Sequence, residues 1–462
     1  MKKRITLVNG VFRTKKIAYP INVVYLKSYL KRFGYDVEVK DYQLVEKDKF
    51  NPKVFVNFLK NSSGILGISV LSSFLPFLIL SFNIERDFFL EKKIILGGIG
   101  TFGIEKELLK KFSYIDYIIQ GEGEEKLRLL LDAICNNNSN GIRKINGVFS
   151  RNGSEVILGK GYMPSLRKEF GLFKKNNIIL NNEEYNTFNV QFSRGCPFNC
   201  NFCGMTSFWG VNHRCRDINS AIEEIEILNK FYGIKKIGIV DNIFTLNTEV
   251  LNKFCDRLID LKIDVQWGCY SRIDTISPKD MEKMSKAGCE KIFFGIESGS
   301  DYVLDRINKK LSTSIITKKI KESINNFKIV TTSFIWGFPY ETLDDLKETT
   351  SLLMFFSYLG TSPKLSLFTP YPYSNTTKKY IDFLKFNKEL STELLYYLTD
   401  QEVIDDIIDI IIANKELCTA FYYIDHDLIL EKYEFLESIN LGNNFFFEAW
   451  ERASPEAIEI NI

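Results

Sequence analysis

Ser193-Arg194-Gly195-Cys196-Pro197-Phe198-Asn199-Cys200-Asn201-Phe202-Cys203 places three thiols at C-x3-C-x2-C spacing, directly behind the strand-like run Val190–Ser193. Five further strand-like runs follow, at Ile237–Val240, Val265–Tyr270, Lys291–Gly295, Val330–Ile335 and Leu365–Phe368. Amphipathic helical stretches lie between them, for example Asn219–Phe231 and Leu343–Tyr358. Six βα units of about 30 to 40 residues predict an α/β fold with a partial or full parallel barrel over 188–385. The units share no sequence repeat, so this is architecture and not a solenoid. A compact loop behind the first barrel strand can aim three thiolates at one point. Most iron–sulfur clusters take four Cys ligands, so three would leave one iron open to an outside ligand. Zinc is the alternative, with His213 or Cys215 as a fourth ligand.

Upstream, residues 1–140 alternate strand and helix on their own account. The runs are Ile5–Val8, a helix over Ile21–Phe33 stopped by Gly34, Asp36–Lys40, Ile65–Val70, Ile94–Leu96 before Gly97-Gly98, and Tyr117–Ile119 before Gly121-Glu122-Gly123-Glu124. This predicts a doubly wound, Rossmann-like parallel sheet that binds ligands beyond the carboxyl ends of its strands, where the glycines lie. Residues 141–187 read as a linker carrying a hairpin, Gly147–Leu158, with Asn152-Gly153 at its turn. Residues 386–462 read as a helical, aromatic-rich segment, through Ile404–Ala413 to Phe445-Phe446-Phe447-Glu448-Ala449-Trp450, serving as a substrate lid or as a cover for the barrel edge.

Composition narrows the classes. The chain has 462 residues, 45% hydrophobic and 26% charged, which is ordinary globular material. Lys plus Arg is 60 against 58 for Asp plus Glu, so charge gives no argument for nucleic acid as partner. Met1-Lys2-Lys3-Arg4 is followed only by the short run Ile5–Val8, too short for a signal peptide and better read as a first strand. A cytoplasmic location is expected, with nine Cys suited to metal or redox chemistry more than to disulfides. The apolar stretch from Gly64 to Phe82 imitates a membrane span. Its β-like start and Ser69, Ser72, Ser73 and Pro76 predict instead a buried strand, a turn and an apolar helix.

On these motifs the chain resembles the radical S-adenosylmethionine (SAM) superfamily, whose C-x3-C-x2-C loop follows the first strand of a (β/α)6 barrel. The resemblance implies Cys196, Cys200 and Cys203 as ligands of a 4Fe-4S cluster whose open iron takes the amine and carboxylate of SAM. Reductive cleavage of SAM there yields methionine and a 5′-deoxyadenosyl radical. Phe202 matches the family's aromatic near the adenine, and Asp241 the acidic end of strand two. Ser271-Arg272 closes strand three, where a planar fork suits the SAM carboxylate. Glu297 and Ser298, in Gly295-Ile296-Glu297-Ser298-Gly299-Ser300, resemble the groups that meet the SAM ribose and amine. Gly337-Phe338-Pro339-Tyr340-Glu341-Thr342 resembles the G-x-P-x-E-T turn.

The N-terminal part resembles the cobalamin-binding domain of the class B methyltransferase-like subclass, through Tyr19-Pro20, Gly34-Tyr35-Asp36-Val37, Gly67-Ile68-Ser69, Gly97-Gly98 and Gly121-Glu122-Gly123-Glu124. It implies cobalamin contacts at Ser69, Gly97, Gly98, Glu122 and Gly123. The D-x-H-x-x-G motif is missing, and the two His, His213 and His426, lie outside this region. Cobalamin is therefore expected base-off, with no His on the metal. The implied activity is C-methylation at an unactivated carbon of a small metabolite or peptide, with flavodoxin or ferredoxin as electron donor. Rearrangement or cyclisation is the alternative, and a non-catalytic cluster-bearing sensor a third. An RNA methylthiotransferase would need three more cluster thiols upstream, where only Cys135 stands. A peptide-modifying enzyme with auxiliary clusters would need several near the C-terminus, where only Cys418 does.

Overall fold

Seven strands form the N-terminal sheet, in spatial order β2-β1-β3-β4-β5-β6-β7. They are β1 (Arg4–Gly10), β2 (Asp36–Asp41), β3 (Ile65–Val70), β4 (Lys93–Gly97), β5 (Tyr117–Ile119), β6 (Val148–Asn152) and β7 (Glu155–Leu158). The first five run parallel. The last two add antiparallel at the edge, so the hairpin strands expected in a linker extend this sheet. The order reverses at β1, which is flanked by β2 and β3, and opens a crevice at the strands' carboxyl ends. The computed structural model describes residues 4–10, 17–152, 155–159, 170, 185, 187–397, 401–426, 428–439 and 441; the hairpin's turn and Phe445–Trp450 lie outside them.

The apolar stretch from Gly64 resolves into β3 and the helix Leu75–Ile84. Leu75 through Phe82 are all buried, which explains a helix apolar on every side. It is covered by the helix Pro52–Leu59 and by Gln401–Ala413 from far along the chain. Among the described residues no helix is long and apolar enough to cross a membrane.

The second sheet has six parallel strands in the order β15-β14-β13-β12-β11-β8. These are β8 (Phe188–Val190), β11 (Lys236–Ile239), β12 (Gln266–Ser271), β13 (Cys289–Glu297), β14 (Ile329–Trp336) and β15 (Ser362–Leu367). β8 and β15 are edges that do not pair, so the barrel is partial. Its helices start where the sequence caps them. Asp217 accepts from the Ser220 amide ahead of Ile218–Tyr232, and Gly233 ends that helix at φ 66°. Thr342 and Asp345 form a reciprocal capping box ahead of Leu343–Tyr358.

The first barrel strand is shorter than its apolar run suggests. Past Val190 the chain leaves the sheet, and β9 (Ser193–Arg194) pairs antiparallel with β10 (Arg214–Cys215). The C-terminal segment is also less purely helical than expected. β16 (Leu384–Lys385) pairs with β17 (Tyr423–Ile424) between the helices Gln401–Ala413 and Ile429–Ser438. This segment touches both halves. The Tyr397 hydroxyl donates to Ser73 O at 2.5 Å, and Lys432 is fully buried against Glu341 of the turn behind β14, with an N–O distance of 3.0 Å.

Candidate functional site

Two glycines fix the thiol loop. Gly195 has φ 94°, and a Cβ there would stand 2.0 Å from Asn212 O. A Cβ on Gly204 would stand 1.8 Å from the Tyr373 ring, so ring and loop backbone are in direct contact. The three thiols are partly exposed. Burial pushes all three up, Cys203 to about 11, and their charges act on one another, so they share one site. Lys309 and Arg272 offset part of this at Cys196 and Cys200. Two cations beside three thiols suit a group that binds them as thiolates. Among the described residues no three His, Cys, Asp or Glu stand preassembled around a single point where a metal ion would sit. Cys215 lies 3.8 Å from His213 Nδ1.

Arg272 and Glu297 reach this loop from the ends of β12 and β13. The Arg272 guanidinium is buried over the Phe198 ring, 4.1 Å from its centroid. It pairs with Asp274 at 2.7 Å, donates to Lys309 O, and lies 4.0 Å from Cys200 Sγ. Glu297 sits at φ 73°, where a non-glycine residue costs about 1–3 kcal/mol, and pairs with Lys309 at 2.8 Å. Lys309 carries no sequence signal beyond its place between Asn308 and Lys310, both also left-handed.

The other residues matched to SAM contacts are spent within the fold. Asp241 accepts from the Phe192 amide at 2.7 Å and Ser193 Oγ at 2.5 Å, tying β11 to the chain behind β8; burial lifts its pKa to about 6 despite these bonds. Ser271 Oγ is 2.6 Å from Thr245 Oγ1, and Ser298 Oγ 3.0 Å from Thr349 Oγ1. A Cβ on Gly299 would stand 2.6 Å from Thr349 Cα, so this turn is clasped to the helix Leu343–Tyr358. Gly337, at φ 82°, donates its amide to Glu341 at 2.8 Å. Phe202 is half-buried and meets Phe338 of that turn edge-on at 5.9 Å, giving the loop an apolar wall.

A cavity of about 290 Å³ opens at the carboxyl ends of the N-terminal strands. Ser69, Gly97, Gly98, Glu122 and Gly123 all line it, and Gln191, Arg194, Phe208 and Trp209 close it from the thiol-loop side. Gly98, at φ 98°, leaves no room for a Cβ, which would meet Val70 O at 2.6 Å. Glu122 also does something the sequence did not show. Arg194 bridges Glu122 at 2.8 Å and Glu124 at 2.7 Å, while Arg214 binds Glu122 at 2.5 Å, all nearly buried. β9 and β10 thus present two arginines to one loop. A second buried tie joins the halves where Tyr25 donates to Glu224 Oε1 at 2.9 Å and Arg216 pairs with the same carboxylate.

Residues 190–353 match the family model described as the radical SAM superfamily. An uncharacterised methyltransferase of Pyrococcus horikoshii is 28% identical over 365 residues, covering 76% of each chain. An anaerobic magnesium-protoporphyrin IX monomethyl ester cyclase of Rubrivivax gelatinosus is 26% identical over 391 residues, 80% of this chain and 68% of the relative. Among solved structures, the radical SAM methyltransferase TsrM of Kitasatospora setae, with cobalamin and a 4Fe-4S cluster bound, superposes with TM-score 0.69 at 18% identity, over 83% of this chain and 75% of that one.

Proposed function

We propose that this radical SAM enzyme is a cobalamin-dependent C-methyltransferase acting on an unactivated carbon of a small molecule or peptide. One observation carries the reading. Arg194, two residues before Cys196, is anchored on Glu122 and Glu124, which line the cavity of the N-terminal sheet. A cofactor in that cavity and a cluster on the thiol loop would share a wall. When bound, the cluster with SAM would supply a carbon-centred radical and cobalamin a methyl group.

The chain's own residues position and enclose these groups. Cys196, Cys200 and Cys203 would hold the cluster, three ligands that would leave one iron for SAM. Arg272 and Glu297 set the charge beside it, and Phe202 with Phe338 shields the adenine from water. Asp241, Ser271, Ser298 and Gly337 act one step back, holding strand ends and turns in place. Ser69, Gly97, Gly98, Glu122 and Gly123 would cradle the cobalamin, and neither His213 nor His426 lines the cavity to offer it a ligand. A flavodoxin or ferredoxin supplies electrons.

The methyltransferase names among relatives support methylation. The cyclase name favours a second reading, rearrangement or cyclisation at the same site. Anaerobic turnover with methyl-labelled SAM and candidate substrates, followed by mass spectrometry, separates them. Label in the product marks methylation; an unlabelled product of altered mass or connectivity marks the alternative.

A further inference from the structure

Behind β15 the chain runs Phe368-Thr369-Pro370-Tyr371-Pro372-Tyr373. Tyr371 and Tyr373 stack at 6°, with centroids 5.5 Å apart. Tyr373 lies against Gly204, the neighbour of Cys203, and meets Phe102 edge-on at 5.6 Å. Phe102 belongs to the loop that starts at Gly97-Gly98. The tyrosine pair therefore stands where barrel mouth, thiol loop and cavity loop come together. Glu393 arrives there from the C-terminal segment, on the turn Thr392–Tyr396. The Tyr371 hydroxyl donates to its Oε1 at 3.1 Å, and the hydroxyls of Thr369 and Thr392 are 3.3 Å apart beside it. Among the described residues Glu393 has no ion-pair partner, and its one side-chain hydrogen bond is the one from Tyr371.

The geometry points to Glu393, with Tyr371, as the anchor for an ammonium group of the substrate; this rests on the reading that the substrate reacts above the thiol loop. A carboxylate held in protein without a cation is costly, and a ligand can supply the missing charge. A carboxylate beside tyrosine faces is complementary to an ammonium, through charge-assisted hydrogen bonds and the ring quadrupole. Burial lifts the Glu393 pKa to about 7, with the Tyr371 hydrogen bond recovering only part. The other titratable groups that couple to it are Tyr373 and Tyr397, both driven up by burial and neutral at that pH. Among the described residues no cation acts on it. An arriving ammonium would form the ion pair and release the carboxyl's proton to solvent where one is held.

The test is calorimetric titration of the anaerobically reconstituted protein with 2-phenylethylammonium and with its neutral counterpart 2-phenylethanol. The wild type should bind the ammonium at least about tenfold more tightly than the alcohol, and Glu393→Gln should erase that difference. Ammonium affinity should fall with acidification below about pH 7 in the wild type and stay flat in the variant. Unchanged iron content shows that the variant is folded. Equal affinity for both probes, no saturable ammonium binding, or full binding by Glu393→Gln overturns the assignment. The titration needs no turnover, so loss of methyl transfer alone would count against the proposed function and not against this site.

Discussion

Replacing Arg194 by Ala should separate the two halves of the molecule energetically. Its guanidinium is nearly buried, spans Glu122 and Glu124 at 2.8 and 2.7 Å, and sits 4.9 Å from the Trp209 centroid. In the variant Glu122 keeps Arg214, but Glu124 is left buried with no ion-pair partner. Breaking a buried pair in this way costs about 3–5 kcal/mol, a large part of a stability of about 5–15 kcal/mol. Burial raises the Glu124 pKa, but Arg194, with help from a backbone hydrogen bond and Arg214, brings the net shift downward. In the wild type Glu124 thus contributes stability above its unfolded value of about 4.3, lost as pH falls through the folded value. In Arg194→Ala only a backbone hydrogen bond and the charge of Arg214 still oppose burial, so the folded pKa should rise, and stability should fall as pH climbs through that range. Arg194→Lys should be intermediate, because a point charge cannot bridge both carboxylates. Urea unfolding midpoints across pH read this directly. Hydroxocobalamin affinity, read by absorbance, should weaken by about tenfold because the same arginine walls the cavity. A variant with wild-type midpoints and the wild-type slope against pH would show that the arginine bridge holds nothing together.

Other outcomes follow from the same contacts. Gly204→Ala should lose most of its cluster, since the new Cβ would sit 1.8 Å from the Tyr373 ring; iron per chain after anaerobic reconstitution measures this, and Tyr373→Leu in the same chain should restore part of it. Arg272→Lys should weaken SAM binding by about 1–3 kcal/mol despite keeping the charge, as titration with SAM would read; an unchanged dissociation constant in both this variant and Glu297→Ala places SAM elsewhere. Asp241→Asn should flatten a pH dependence. The folded carboxyl titrates near about 6 because of burial, above its unfolded value of about 3.9, so the wild type loses stability as pH rises between the two and the variant should not.

The strands were legible because each is a short apolar run bounded by turn residues, and the thiol loop because its spacing has few other uses. Cavity residues were legible for a similar reason: glycines at strand ends mark where backbone must approach a ligand or another strand. What escaped the sequence is long-range pairing. Glu122 reads as a ligand-facing residue in Gly121-Glu122-Gly123-Glu124, yet its partners stand at Arg194 and Arg214, on a ladder of two residues per strand that has no periodicity to detect. Lys309, Glu393 and Lys432 sit in locally ordinary sequence. Each matters through a contact made by tertiary folding, with Glu297, Tyr371 and Glu341 respectively.

The central claim is that one chain holds a cluster and a cobalamin on either side of the Arg194 bridge and joins them in chemistry. The most direct measurement is anaerobic reconstitution with iron, sulfide and hydroxocobalamin, gel filtration, and electron paramagnetic resonance of the reduced protein. Wild type should retain one 4Fe-4S cluster and one cobalamin per chain, with a cob(II) signal free of nitrogen superhyperfine triplets. The Cys196, Cys200, Cys203 to Ala variant should retain cobalamin alone. A protein that keeps its cluster but retains no cobalamin under any condition, or a triple variant with full cluster absorbance, contradicts the account.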